Sequence, residues 1–179
     1  MSCFSISISS NFCYRHKQLR NIYTIGTMGI IGNLTTAEIL EQLYHASKVA
    51  KLRNVVFMGM GEPLDNYDNV KEAVLTMSNN KLFAIAARHI TVSTVGVIKN
   101  MYQLTADMPY VSLALSLHAP NQEIRKLIVP TATANKFELL MEAMDNHIRS
   151  YCRINYSTGN KTTSNVKLLR NSNTKNEDI

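Results

Sequence analysis

Cysteine is scarce in this chain. Cys3, Cys13 and Cys152 are the only three, and no two of them stand in a C-x-x-C spacing. An odd, sparse set argues against a secreted disulfide scaffold and suits a reducing compartment. A cytoplasmic or organellar protein is therefore expected, not a secreted one. No apolar run reaches the length needed to cross a bilayer, so a soluble protein with no membrane partner is expected. Acidic residues are missing from the first 37 positions, where Arg15, Lys17, Arg20 and several serines are found. That pattern fits an organellar transit peptide, and equally an altered N-terminal part of the domain itself.

What is present is enough for a core. At 179 residues, 45% of them hydrophobic, the chain suits one domain or a piece of a larger one. The net charge of +6 favours an anionic partner, with RNA the first candidate.

Alternating element types dominate the middle of the chain. Thr35-Thr-Ala-Glu38 is a capping box, and Ile39, Leu43, Ala46 and Ala50 follow at helical spacing, which predicts a helix over 35–51. Residues 54–59 predict a strand. Asp68 is expected to cap a helix that buries Val70, Val74 and Met77. The β-branched run His89 to Gly96 predicts a second strand. A short helix carrying Val97, Met101 and Leu104 comes next, then a third strand from Tyr110 to His118. Asn121 is expected to cap a helix carrying Ile124 and Leu127. Phe137, Leu140, Met141, Met144 and Ile148 give one apolar face to a helix over 136–150. Near-continuous hydrophobicity in the strands predicts that both faces of a parallel sheet are covered. Only three or four strands are legible, fewer than a closed barrel needs. After residue 150 the chain is rich in Asn, Ser, Thr and Lys. A lone strand at Val166–Leu169 is possible there, and the last ten residues read as disordered.

Three strand ends carry candidate chemistry. The first offers Gly59, Gly61 and Glu62, the second Ser93, Thr94 and Gly96, the third Ser116 and His118. In a parallel sheet these ends lie on one side and can form one cleft. Glycines permit close backbone approach, a carboxylate accepts from an ammonium, and Ser and His bind a ribose or a carboxylate. The set matches a ligand with an amino acid part and a sugar part. Singly, each residue has an ordinary structural role available, and Glu62 in particular can cap the turn that follows it.

Four runs make the pattern specific. They are Gly32-Asn-Leu-Thr-Thr-Ala-Glu38, Val56-Phe-Met-Gly-Met-Gly-Glu-Pro-Leu-Asp-Asn66, Ile90-Thr-Val-Ser-Thr-Val-Gly96 and Ala114-Leu-Ser-Leu-His-Ala-Pro-Asn121. In order and spacing they resemble the adenine-C2 RNA methyltransferases of the radical S-adenosylmethionine superfamily, over residues 26–150. The resemblance implies an α/β fold: a partial, incomplete (β/α) barrel of parallel strands that binds S-adenosylmethionine. By position it implies that Gly61 and Glu62 meet the methionine amino group, and that Ser93, Ser116, Leu117 and His118 line the same site. It also implies ribosomal RNA, and in some members transfer RNA, as substrate.

The resemblance breaks at the cluster. The family holds a [4Fe-4S] cluster on three thiolates at C-x3-C-x2-C spacing, just before a run that here reads Ile25-Gly-Thr-Met-Gly29. Ungapped counting puts His16, Arg20 and Tyr23 at those positions; a three-residue insertion would bring in Cys13 alone. The cluster is thus expected for the family and unsupported by this chain, and neither catalytic nor metal-binding residues are assigned. A late catalytic Cys of the family has no counterpart, since Cys152 lies too early. The expected organisation is a degenerate segment over 1–25 in place of the cluster loop, a partial barrel over 26–150, and a diverged tail over 151–179. This favours altered cluster region over transit peptide. An inactive, truncated family member is expected, whether from an incomplete gene model, a pseudogene or a true paralogue. Its unclosed barrel is expected to expose a strand edge and apolar inner surface and so to favour self-association.

Overall fold

The computed structural model describes residues 4–13, 30–58, 60–133, 135–157 and 166–169. His16, Arg20, Tyr23, Gly59, Cys3 and the last ten residues lie outside them, and so do the expectations placed on those positions.

Five strands form one parallel sheet. They are β1 (Phe4–Ile8), β4 (Leu52–Phe57), β5 (Ile90–Thr94), β6 (Ser112–Ser116) and β7 (Val166–Leu169), in that spatial order. Every pairing between neighbours is parallel. A separate antiparallel pair joins β2 (Asn11–Cys13) to β3 (Ile30–Asn33). Helices α1 (Thr36–Val49), α2 (Tyr67–Ser78), α3 (Ile98–Asp107), α4 (Gln122–Ile128) and α5 (Phe137–Ser157) occupy the connections. The sheet is open among the described residues, as a partial (β/α) barrel requires.

The register sorts the strand residues into two unlike faces. Ile8, Phe57 and Val92 share one face, as do Val55 with Ile90 and Leu113 with Val92. These residues join Ile39 and Leu43 of α1, Val70 and Met77 of α2, Met101 and Leu104 of α3 and Leu140 and Met144 of α5 in a single buried core. The opposite face carries Ser5, Ser7, Asn54, Val56, Thr91, Ser93, Ser112, Ala114 and Ser116, as the same pairings dictate. Apart from Val56 and Ala114, these residues of β1, β4, β5 and β6 therefore alternate apolar with polar, and β7 adds Lys167 and Leu169 to the second face by register. This corrects the expectation of continuous hydrophobicity, and with it the expectation of an apolar inner surface. β-Branched Thr91 and small Ser and Ala residues satisfy strand propensity without making that face apolar.

Local signals explain most element boundaries. Thr35 and Glu38 form the capping box at the start of α1: the Thr35 hydroxyl accepts from the Glu38 N–H, and Glu38 Oε2 accepts from the Thr35 N–H at 2.8 Å. Asn121 Oδ1 accepts from the Ile124 N–H and caps α4. One expectation is corrected. Asp68 does not cap α2, which begins one residue earlier with Asn66 at the cap position and no side-chain cap bond. Asn66 is committed elsewhere, its amide donating to the carbonyls of Ser10 and Leu34 at 2.7 Å each. Asp68 sits exposed in the first turn, where the helix dipole favours a carboxylate. On α4, Ile124 and Leu127 are exposed and the buried residue between them is Arg125.

Strand β1 has no counterpart among the strands expected from the sequence. Phe4-Ser-Ile-Ser-Ile8 pairs along β4, with Ser7 opposite Val56 and Ile8 opposite Phe57. Val166–Leu169 does form a strand, at the other edge of the sheet.

Candidate ligand site at the strand ends

Gly61 takes φ +86, a left-handed conformation that glycine adopts freely. It aims Glu62 back under the loop. Glu62 is only 5% exposed. Its Oε1 accepts from the Leu64 N–H at 3.0 Å, within the turn opened by Pro63. Its Oε2 accepts from the Val95 N–H at 2.7 Å, at the end of β5. The turn-capping role and a second role are thus both present: the carboxylate ties the end of β4 to the end of β5.

Burial pushes the Glu62 carboxyl up to about 7, against the pull of the Val95 and Leu64 N–H groups and the Thr94 hydroxyl. Nearby Asp65 pushes it the same way as burial. Each carboxylate oxygen offers two lone pairs. The two backbone N–H groups and the Thr94 hydroxyl use three of these four lone pairs and leave one for a cationic donor.

The second strand end is held from several sides. Thr94 Oγ1 accepts from the Gly96 N–H at 3.0 Å. Gly96 has φ +113, and a Cβ there would overlap Leu140 Cδ2 of α5. Arg125, fully buried, donates from Nη2 to the Val95 carbonyl at 2.7 Å and from Nη1 to the Asn135 carbonyl at 3.0 Å. Its Nε finds no acceptor among the described residues.

The third strand end meets the second. Ser93 Oγ and Ser116 Oγ lie 3.2 Å apart across β5 and β6. Leu117 is buried, and His118, half-buried, takes φ +63, a left-handed conformation uncommon outside glycine. Burial and the Arg125 cation both hold the His118 ring below its ordinary value. Ser9, beyond the end of β1, completes the rim: its hydroxyl accepts from the Met60 N–H at 3.3 Å.

Glu62, Ser93, Ser116, Leu117 and His118 therefore stand at neighbouring strand ends, as the sequence led one to expect; Gly61 stands with them. Asn66, Arg125 and Ser9 were missed. A polar residue buried by long-range contact leaves no periodic signal, and Arg125, on the face opposite Ile124 and Leu127, fits an ordinary amphipathic pattern whose burial the structure inverts. A surface groove between α3 and α5, lined by Tyr102, Met141, Glu142 and Arg149, lies on the outer helical layer. None of the strand-end residues lines it. Among the described residues no group of three or more His, Cys, Asp or Glu is placed to hold a metal ion, and no helix is long and apolar enough to cross a membrane.

Comparison with known proteins agrees with this geometry. Residues 10–165 match the model of the Radical SAM superfamily. A protein of Thermus thermophilus named "Probable dual-specificity RNA methyltransferase RlmN" is 44% identical over 137 residues, covering 73% of this chain and 39% of that protein. The "Ribosomal RNA large subunit methyltransferase N" of Nitrosopumilus maritimus is 36% identical over 149 residues, covering 80% of this chain and 40% of that one. The chain thus spans about two fifths of the length of the curated relatives it matches. The crystal structure of a radical SAM methyltransferase from Sphaerobacter thermophilus superposes with a TM-score of 0.71 at 29% identity, over 83% of this chain and 45% of that one. With a family match over most of its length and the same fold in a solved relative, the chain belongs to the radical SAM superfamily.

Proposed function

We propose that the strand ends bind S-adenosylmethionine, and that the chain is part of an RNA methyltransferase acting on C2 of an adenine in ribosomal RNA or transfer RNA. The observation that carries the binding proposal is Glu62: a buried carboxylate, fixed by two backbone N–H groups, with a lone pair left for an ammonium. Gly61 supplies the close backbone approach beside it. The Ser93 and Ser116 hydroxyls, joined to each other, can turn to a ribose or carboxylate oxygen, and Leu117 and His118 border the same space. When bound, S-adenosylmethionine would supply the methyl group. The residues named here bind and orient it. The net charge of +6 supports an RNA partner through phosphate contacts.

The family's [4Fe-4S] cluster does not fit this chain. Its three cysteines stand far apart in sequence and form no C-x3-C-x2-C set. These 179 residues are therefore proposed to be inactive on their own, retaining cofactor or RNA affinity without chemistry. Anaerobic reconstitution with iron and sulfide, followed by an assay for 5′-deoxyadenosine, tests the inactivity; a stoichiometric cluster with cofactor cleavage refutes it. Calorimetric titration with S-adenosylmethionine tests the binding, and absence of heat together with absence of competition against a labelled analogue refutes that.

A further inference from the structure

We propose that Arg125 is a positioning residue for Glu62, acting through Val95. The inference rests on the reading that Glu62 receives the ligand's ammonium, and it explains how the carboxylate is aimed. Val95 is gripped at both of its backbone polar groups. Its N–H donates to Glu62 Oε2 at 2.7 Å, and its carbonyl accepts from Arg125 Nη2 at 2.7 Å. Next to it, Gly96 turns the chain at φ +113, which glycine permits without enforcing; the Thr94 hydroxyl holds the Gly96 N–H, and Arg125 holds the Val95 carbonyl. The guanidinium supplies the fixed point.

The choice of arginine is costly unless its fork is needed. Arg125 is 0% exposed, and the two acceptors of its Nη groups are neutral carbonyls, not a carboxylate. Burying a cation this way is unfavourable. A neutral or apolar side chain would tie α4 to the sheet more cheaply. What only the rigid planar fork provides is simultaneous reach to two carbonyls, Val95 after β5 and Asn135 before α5. Since α4 starts shortly after the β6 end, Arg125 brings all three strand ends into one rigid frame: β4 through Glu62, β5 through Val95, β6 through α4 itself.

The test uses the ¹⁵N-labelled full chain and two variants, Arg125→Lys and Arg125→Met, with S-adenosylmethionine titration alongside. In the unmutated protein the Val95 amide proton is expected far downfield and slow to exchange, as befits a short bond to a carboxylate. In either folded variant it is expected to move upfield and exchange faster, and S-adenosylmethionine affinity is expected to fall about tenfold, the size of one charge-assisted hydrogen bond. A variant that keeps a cooperative unfolding transition at lower temperature but leaves the Val95 amide unmoved shows a merely structural tie and overturns the proposal. Should neither variant fold, the Arg125 Nη protons of the unmutated protein decide: slow exchange supports the clamp, and exchange at the free rate overturns it. Failure of the unmutated protein to bind S-adenosylmethionine overturns the ligand reading of Glu62 instead, and the Val95 amide reports separately.

Discussion

Glu62 and Val95, 33 residues apart in the chain, are joined by a carboxylate-to-amide hydrogen bond of 2.7 Å that links the ends of two parallel strands. The bond holds an ionisable group in a buried place, and that makes its protonation a matter of stability. Burial raises the Glu62 carboxyl from an ordinary 4.5 to about 7. The folded state therefore binds the proton more tightly than the unfolded chain does. The stability this contributes is complete below pH 4.5 and lost as pH rises through about 7. Relative to Glu62→Gln, the ligand-free protein is expected to lose about 3 kcal/mol between about pH 4.5 and about pH 8, by the free-energy equivalent of the shift. Urea denaturation of both proteins at several pH values checks this. Parallel stability curves would count against a buried, titrating Glu62.

The same group gives ligand binding a pH signature. An ammonium favours the ionised carboxylate, so if the proposed reading of Glu62 holds, binding S-adenosylmethionine displaces its proton. Affinity is expected to rise roughly tenfold per pH unit below about 7 and to level off above it, one proton being released per ligand bound. Calorimetry in buffers of different ionisation enthalpy measures that proton directly. Binding with no proton released at about pH 6 would place the ammonium elsewhere.

Gly96 is the turn that no other residue fits. Its φ of +113 strains any L-residue, and the Cβ of an alanine would land on Leu140 Cδ2 with Cδ1 at 3.3 Å. Gly96→Ala is expected to destabilise by about 2–4 kcal/mol, adding overpacking to backbone strain. Adding Leu140→Ala removes the clash but not the strain, so thermal denaturation should show partial rescue at most beyond the cost of Leu140→Ala itself. Full rescue would mean that the dihedral imposes nothing.

His147 on α5 offers a pH effect of the opposite sign. It is buried, with Nε2 at 2.9 Å from the Val111 carbonyl and Nδ1 at 3.0 Å from Thr105 Oγ1. Facing a carbonyl, Nε2 must carry a proton. Burial holds the ring below its ordinary value against the pull of that carbonyl. A depressed histidine contributes stability above its unfolded value of 6.5, lost as pH falls below it. His147→Leu is expected to cost about 1–3 kcal/mol at about pH 8 by leaving the Val111 carbonyl and Thr105 short of a partner. The gap to the unmutated protein should narrow at about pH 5. A gap independent of pH would show that His147 does not titrate across folding.

Much of this was legible in the residues because the signals are local. The Thr35–Glu38 box and the Asn121 cap are short-range devices, and the structure shows both. Glycine followed by a carboxylate at a strand end marked Glu62 before any fold was visible. Long-range commitments were not legible. Asn66 reads as a turn residue, yet its amide binds Ser10 and Leu34, more than thirty positions away. Arg125 reads as a solvated charge on an amphipathic helix and is instead buried. Strand β1 was hidden in a serine-rich segment, although Phe4-Ser-Ile-Ser-Ile8 does alternate with period two. The strands as a whole read as uniformly apolar because serine, threonine and alanine are small enough to pass unnoticed between valines and leucines.

That alternation divides the labour of the sheet. Over β1, β4, β5 and β6, Ser5, Ser7, Asn54, Thr91, Ser93, Ser112 and Ser116 give one face a wall of side chains that do not titrate between about pH 2 and 12, while Lys167 of β7 falls on the same face by register at its edge. The charged and titrating groups described at the strand ends, Glu62, His118 and Arg125, stand at the rim instead. A ligand lying against the β1-to-β6 part of that wall meets the same surface at any pH, whereas one reaching the rim meets a surface that changes near neutrality. Acidity is therefore a control on capture at the edge, separable by single substitutions from the shape of the surface behind it.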